Sequence, residues 1–247
     1  MTLEIDKRKF IFKIKEIWFA GYPYDVQNYA SVRFLECKNK IDKDGFFCEE
    51  FTTLIIDLTQ NLEDIWKNMD PKSCRYIINK AIKEGIKIWI NKNYEQFYKI
   101  NASFRKKKGL SGNLLDIDFM KKYCTLFTAD LNGEIVAGQL YLEDKNNIRW
   151  LIGASKRLEV DSKKAKLIGC ANRLMIWEAI KYAKEKGIKE FDLGGYYTGK
   201  IKDEQKEKIN LFKKSFGGKL VTYYHYYKDY SIILKFIKKC KNIIKVG

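Results

Sequence analysis

The chain has 247 residues, 46% hydrophobic and 15% aromatic, which excludes a disordered segment and allows one large domain or two small lobes. Its 48 basic and 31 acidic residues give a formal net charge of +17, which favours anionic partners such as nucleic acid, nucleotides, lipid headgroups or phosphorylated sugars; lysines spread over a solvated surface account for it equally well. One histidine, six cysteines without C-x-x-C spacing and no apolar run of transmembrane length argue against zinc or multi-histidine metal sites and a membrane span, so no metal is expected and the cytoplasm is the default location.

Residues 10–20 are rich in aromatic and β-branched types in partial alternation and predict a strand, residues 29–37 a second, and Lys38 to Gly45 a charged turn. Phe51 to Leu58 is nearly continuous apolar sequence, which predicts a strand buried on both faces. Asn61 is the predicted cap of a helix over 62–69. Pro71 opens a second helix, with Cys74, Ile77, Ile78 and Ala81 at helical spacing and Gly85 as its left-handed stop. Ile86 to Ile90 follows as a strand, and Asn93 as the cap of a helix to about Phe104. The basic, glycine-containing stretch Arg105 to Asn113 is the best lobe boundary, which divides the chain into lobes 1–113 and 114–230 and a C-terminal segment 231–247.

The second half predicts three hairpin-connected strands: Thr125 to Asp130, Glu134 to Leu142 beyond the Asn132-Gly133 turn, and Ile148 to Ala154 beyond the turn Asp144 to Asn147. A helix over roughly 165–186 places Ile168, Ala171, Met175, Ala179 and Tyr182 on one face, and Gly187 stops it. Glu190 to Leu193 is a strand, 204–216 a helix, and Lys219 to Tyr227 a strand. A right-handed crossover would set strand 190–193 beside strand 148–154.

Two glycine-terminated segments carry the chemistry. Asp192-Leu193-Gly194-Gly195 ends a strand, and Asn210-Leu211-Phe212-Lys213-Lys214-Ser215-Phe216-Gly217-Gly218 ends a helix on which Leu211 and Phe212 are expected to pack inward. Together with Asn172 to Lys186, Thr53 to Leu58 and Arg75 to Gly85, they resemble the FemAB-like acyltransferases, the peptidoglycan-bridge aminoacyltransferases and their relatives built on GNAT domains. The resemblance runs from about residue 50 to 227. It implies an α/β mixed sheet with two FemAB-type GNAT lobes, the first reduced, and an acyl donor inserted where strands 148–154 and 190–193 splay apart.

The resemblance implies that Lys213 stabilises the oxyanion of acyl transfer. Asp192 either orients or deprotonates the amine or caps the glycine turn. Gly194, Gly195, Tyr196, Asn210 and Phe212 are the expected substrate lining, with Arg75, Lys80 and Arg105 as candidates for substrate phosphates. Ser155 precedes the long helix, whose N-terminus attracts phosphate. Lys166-x-x-Gly169-x-Ala171 faintly resembles the pyrophosphate loop of CoA-dependent GNAT enzymes, although ordinary helix packing explains it as well. Cys170 reads as a core thiol, since no base is near it in sequence.

The expected activity is transfer of an acyl or aminoacyl group, from acyl-CoA or aminoacyl-tRNA as co-substrate, onto an amine of a sugar nucleotide, a cell-wall precursor or a peptide. No tightly bound cofactor is expected. Ser231 to Val246 predicts a basic amphipathic helix, with Ile232, Ile233, Phe236, Ile237, Cys240, Ile243 and Ile244 on one side and lysines on the rest, which either lies on an anionic membrane, at the inner face, or docks on the core. The rival reading is a catalytically silent nucleic-acid- or membrane-binding protein; only seven arginines are present, whereas a dedicated nucleic-acid surface favours arginine forks.

Overall fold

Hairpin signals and glycine stops set most element boundaries in the computed structural model, which describes residues 2–199 and 201–236. Most of the C-terminal segment (237–247) lies outside the described residues. The chain forms two compact units, one of residues 1–53 and 221–247 and one of residues 54–220. The basic loop 105–113 falls inside the second.

In the first unit, β1 (Leu3–Lys9) and β2 (Phe12–Trp18) form an antiparallel hairpin. The strand expected over 10–20 is β2; β1 was not anticipated, and the chain reverses between the two at Phe10-Ile11. Phe10 takes φ 55, and neither residue carries the glycine or asparagine that marks such a turn. β2 runs parallel to β3 (Ser31–Cys37), which is antiparallel to β10 (Lys219–Asp229). Ile17, Val32, Phe34 and Tyr226 form this unit's core.

The second unit begins in β4 (Phe47–Asp57). Asn61 caps α1 (Leu62–Asn68) by accepting a bond from Asp64 N. Asp70 caps a π-helical turn (Pro71–Arg75) that continues into α2 (Tyr76–Lys83). After β5 (Lys87–Ile90), α3 spans Tyr94–Lys107. Asn93 precedes it in the left-handed region (φ 63) without a side-chain cap bond; its amide donates instead to Thr128 Oγ1 at 3.1 Å, so the expected cap serves the sheet. A short α4 (Ile117–Tyr123) then leads to the meander β6 (Thr125–Leu131), β7 (Glu134–Glu143) and β8 (Asn147–Ser155).

α5 (Ser162–Glu185) crosses back to β9 (Glu190–Gly195), and α6 (Glu204–Lys214) follows. The strand order from β9 is β9-β8-β7-β6-β5. All pairs are antiparallel except β8 with β9, which is parallel over Asn147↔Glu190, Ile148↔Phe191 and Arg149↔Asp192. That ladder ends at Asp192, before either strand does, at the start of the glycine motif. Their adjacency is the one the crossover predicts. The buried face of α5, with Ile168, Ala171, Met175, Ile176 and Ala179, packs into the main core.

The stop after α6 sits against α1 and β4. A Cβ on Gly217 (φ 79) would come 2.3 Å from Asn68 O, whereas one on Gly187 (φ 73) would meet nothing within 4 Å. Gly187→Ala should therefore cost about 1 kcal/mol, the left-handed backbone penalty alone. Gly217→Ala adds a clash with backbone and should cost at least about twice as much. Urea unfolding of the two variants measures the difference.

Candidate active site

The end of the β8–β9 ladder holds a buried ion pair. Arg149 and Asp192 are opposite each other in the parallel register, and Arg149 Nε lies 3.5 Å from Asp192 Oδ2. Asp192 Oδ1 accepts the amide of Gly194 at 2.6 Å. Of the two roles the sequence left open for Asp192, this geometry is that of the turn cap. Gly194 needs its freedom twice over: it has φ 78, and a Cβ there would stand 3.2 Å from Trp150 O and 3.7 Å from Lys213 Nζ.

Lys213 enters from the last turn of α6. It is only 7% exposed. Its Nζ donates to Gly195 O at 2.6 Å and lies 5.9 Å from the centre of the Trp150 ring. Burial pushes its pKa down from 10.5 to about 8; Asp192 works against this shift and Arg149 with it. An ammonium has three donors, and the bond to Gly195 uses one. Asn210, one turn earlier, spans the loop after β9 by accepting from Tyr197 N at 3.0 Å and donating to Tyr197 O at 2.8 Å. Asn210 and Lys213 are thus the inward face of α6, while Leu211 is 67% exposed and Phe212 half-buried. This corrects the expectation that Leu211 packs inward: it lies about 200° around the helix from Lys213.

Phe212 is fixed from two sides. It packs on Trp150 and Phe216, and the Arg173 guanidinium of α5 lies 4.6 Å over its ring. Burial lowers the Arg173 pKa, and Arg173 Nε, like Trp150 Nε1 and Arg75 Nε, is buried without a hydrogen-bond partner among the described residues. Arg75 lies on the π-helical turn, which is tied to the end of α6 by Asp70 N donating to Ser215 O at 2.9 Å. Arg75 and Arg173 both border Cys74, and Lys80 and Arg173 border Cys170, whose thiol burial pushes up. Tyr196 is half-buried and packs on the main core.

The donor-phosphate candidates lie elsewhere. Asp161 caps α5 by accepting from Lys163 N and Lys164 N, so a carboxylate already occupies that helix end. Gly169 lies well inside α5, where its amide belongs to the helical ladder. Ser155 is buried and Lys166 exposed, while Lys156 and Lys164 are paired with Glu134. Arg105 holds its own loop by bonding Ser111 O and Gly112 O.

Arg149, Trp150 and Arg173 were not singled out from the sequence. The available signal for Arg149 was a charge within the otherwise apolar run Ile148 to Ile152, directly across the expected parallel register from Asp192. Arg173 gave no signal beyond a charge on a mostly apolar helix.

Residues 108–205 match the family model of the acetyltransferase (GNAT) domain. That stretch is therefore similar to a GNAT acetyltransferase domain. Two similar solved structures extend the likeness over nearly the whole chain. FemX is 14% identical, with a TM-score of 0.67 over 95% of this chain and 85% of its own. L-PGS from Bacillus licheniformis is 14% identical, with a TM-score of 0.54 over 96% of this chain and 84% of its own. At these identities the likeness is one of fold, and it is the FemAB-like GNAT fold that the glycine motifs led us to expect. No curated protein matches the sequence.

The Arg149–Asp192 pair generates a stability prediction. Asp192→Asn removes the carboxylate charge facing a buried guanidinium and should cost about 3–5 kcal/mol. Adding Arg149→Met should recover a large part of that loss, since both charges are then gone. Urea unfolding of the two single variants and the double variant tests the cycle.

Proposed function

We propose that the protein is an N-acyltransferase in which Lys213 stabilises the oxyanion formed when an acceptor amine attacks an acyl ester or thioester. The observation that carries this reading is a buried ammonium, held by Gly195 O and with no second hydrogen-bond acceptor among the described residues, at the end of the β8–β9 ladder. The amine nitrogen adds to the carbonyl carbon and the carbonyl oxygen takes the negative charge. Lys213 offers that oxygen a fixed cation in a site of low dielectric, where it stabilises the transition state more than the neutral ground state. The carbonyl then re-forms, the leaving oxygen or sulfur departs, and the proton lost by the amine balances it. Asp192 and Arg149 position this machinery rather than touch the reacting atoms.

Aminoacyl-tRNA is the donor we favour. The net charge of +17 suits it, the FemAB-like resemblance implies it, and the carboxylate capping α5 is unfavourable for a CoA pyrophosphate at that helix end. Acyl-CoA is the alternative, and binding titrations with charged tRNA and with CoA separate the two. For the acceptor we propose an amine on an anionic carrier, a sugar nucleotide or cell-wall precursor, with Arg75, Lys80 and Arg173 on its phosphate side. A silent binding protein is disfavoured because a buried lysine costs stability and such a protein gains nothing from it.

Lys213→Met should lower single-turnover acyl transfer by roughly 10²–10³, with Lys214→Met, on the exposed side of α6, as the unaffected control. Because the cationic form is the active one, wild-type transfer should fall as pH rises through about 8. A rate that instead climbs through that pH would make Lys213 a base and overturn the oxyanion role.

Stability should move the opposite way. Between about 8 and 10.5 the unfolded chain binds the proton that folded Lys213 has lost, so stability rises with pH across that window and the buried cation costs roughly 3 kcal/mol below it. After losing the bond to Gly195 O, Lys213→Met should still gain about 1–2 kcal/mol at neutral pH, as read by urea unfolding.

A further inference from the structure

The tip of the β1–β2 hairpin has no role in the site above. Its register closes at Lys9↔Phe12, which leaves Phe10 and Ile11 as a two-residue turn. Both side chains are 82% exposed. Phe10 also has φ 55, a backbone state that glycine or asparagine adopts readily and a bulky aromatic residue does not. The chain therefore places strain and exposed apolar surface on the same turn.

A second exposed apolar cluster belongs to the same unit. Ile232, Ile233 and Phe236 are exposed on the helical turn 232–236 that follows β10. Backbone hydrogen bonds join the two regions through one residue. Ala30 N donates to Lys13 O at 2.8 Å, and Ala30 O accepts from Tyr230 N at 2.9 Å and Ser231 N at 3.1 Å. The start of the helical turn is thus tied to β2 beside the hairpin tip. Arg8, Lys9, Lys13 and Lys235 flank these apolar residues in sequence and are exposed. The ion pairs of the hairpin use Lys7, with Glu16 at 2.7 Å, and Lys15, with Glu4 at 2.8 Å.

We propose that this end of the first unit docks on an anionic lipid surface. Phe10 and Ile11 enter the boundary between headgroups and acyl chains, Ile232, Ile233 and Phe236 lie beside them, and the four cations meet the lipid phosphates. Charge complementarity selects this occupant. A symmetric second copy would set Arg8, Lys9, Lys13 and Lys235 against the same cations. A nucleic acid would use the cations but would leave the isoleucines without a partner, because isoleucine offers no stacking face.

The test is sedimentation of the full chain with vesicles of mixed phosphatidylglycerol and phosphatidylcholine, and with phosphatidylcholine alone. Binding is expected to the mixed vesicles, to weaken with salt, and to fall at least about tenfold in Phe10→Asn/Ile11→Ser, which removes two inserting side chains. Asparagine accepts a positive φ, so this variant should keep the wild-type circular dichroism and thermal midpoint. In Phe10→Trp, indole fluorescence should shift to the blue on the mixed vesicles. No binding to the mixed vesicles, or equal binding by the double variant, overturns the proposal. So does a wild-type dimer that the double variant converts to monomer without change in vesicle binding. None of these readouts involves acyl transfer, so lipid docking and the catalytic reading fail independently.

Discussion

A lysine ammonium held inside a folded domain needs charges and carbonyls arranged around it, and much of the second unit is arranged to supply them. Lys213 has Gly195 O as its bonded acceptor, Asp192 as its nearby negative charge and Arg149 as an opposing positive one. The three charges sum to one net positive charge in a nearly water-free place. Such a cluster is incomplete without an anion. In the proposed function, an oxyanion that exists only while acyl transfer is under way would neutralise it at that moment, which is the differential binding that catalysis requires. The hydrophobic cluster that includes Leu193, Phe216 and the inner face of α5 supplies the stability to carry that charge.

The glycines follow from the same constraint. Gly194 adopts φ 78, and a Cβ there would press on Trp150 O at 3.2 Å while touching the Lys213 ammonium at 3.7 Å. The end of α6 in turn lies so close to α1 and β4 that a Cβ on Gly218 would meet Leu54 Cδ2 at 2.1 Å. One glycine pair lets the cation reach the strand, and the other lets the helix carrying the cation settle against its neighbours. Asp192 belongs to this arrangement as much as to the electrostatics, because one of its oxygens holds the Gly194 amide in place.

Local signals were legible and long-range ones were not. Asn61, Gly85, the Asn132-Gly133 turn and the meander that follows it depend on neighbours within a few residues, and the structure keeps them. Phe10-Ile11 was missed as a turn because its residues contradict turn chemistry. Asn93 does hold the N-cap position of α3, but its left-handed backbone leaves its side chain without a cap bond, and its amide donates to Thr128, distant in sequence. Arg149 acquires its meaning only through the parallel register with Asp192, and Arg173 only when α5 packs against α6. Neither event is written in the residues around them.

The inward face of α6 is where the hydrophobic pattern failed for a reason. The sequence expects Leu211 to pack inward, and the structure leaves it exposed with Lys213 on the buried face instead. A sequence that breaks its own pattern without gaining stability marks a place kept for function. Among the described residues Lys213 is the one buried lysine, whereas lysines such as Lys67 and Lys181 lie on helix surfaces paired with glutamates one turn away. The charge of +17 says little about chemistry, since a solvated lysine costs almost nothing to keep. Information about chemistry lies in the cation that is expensive to hold, and the expense is visible only when helix, strand and glycine turn are in place around it.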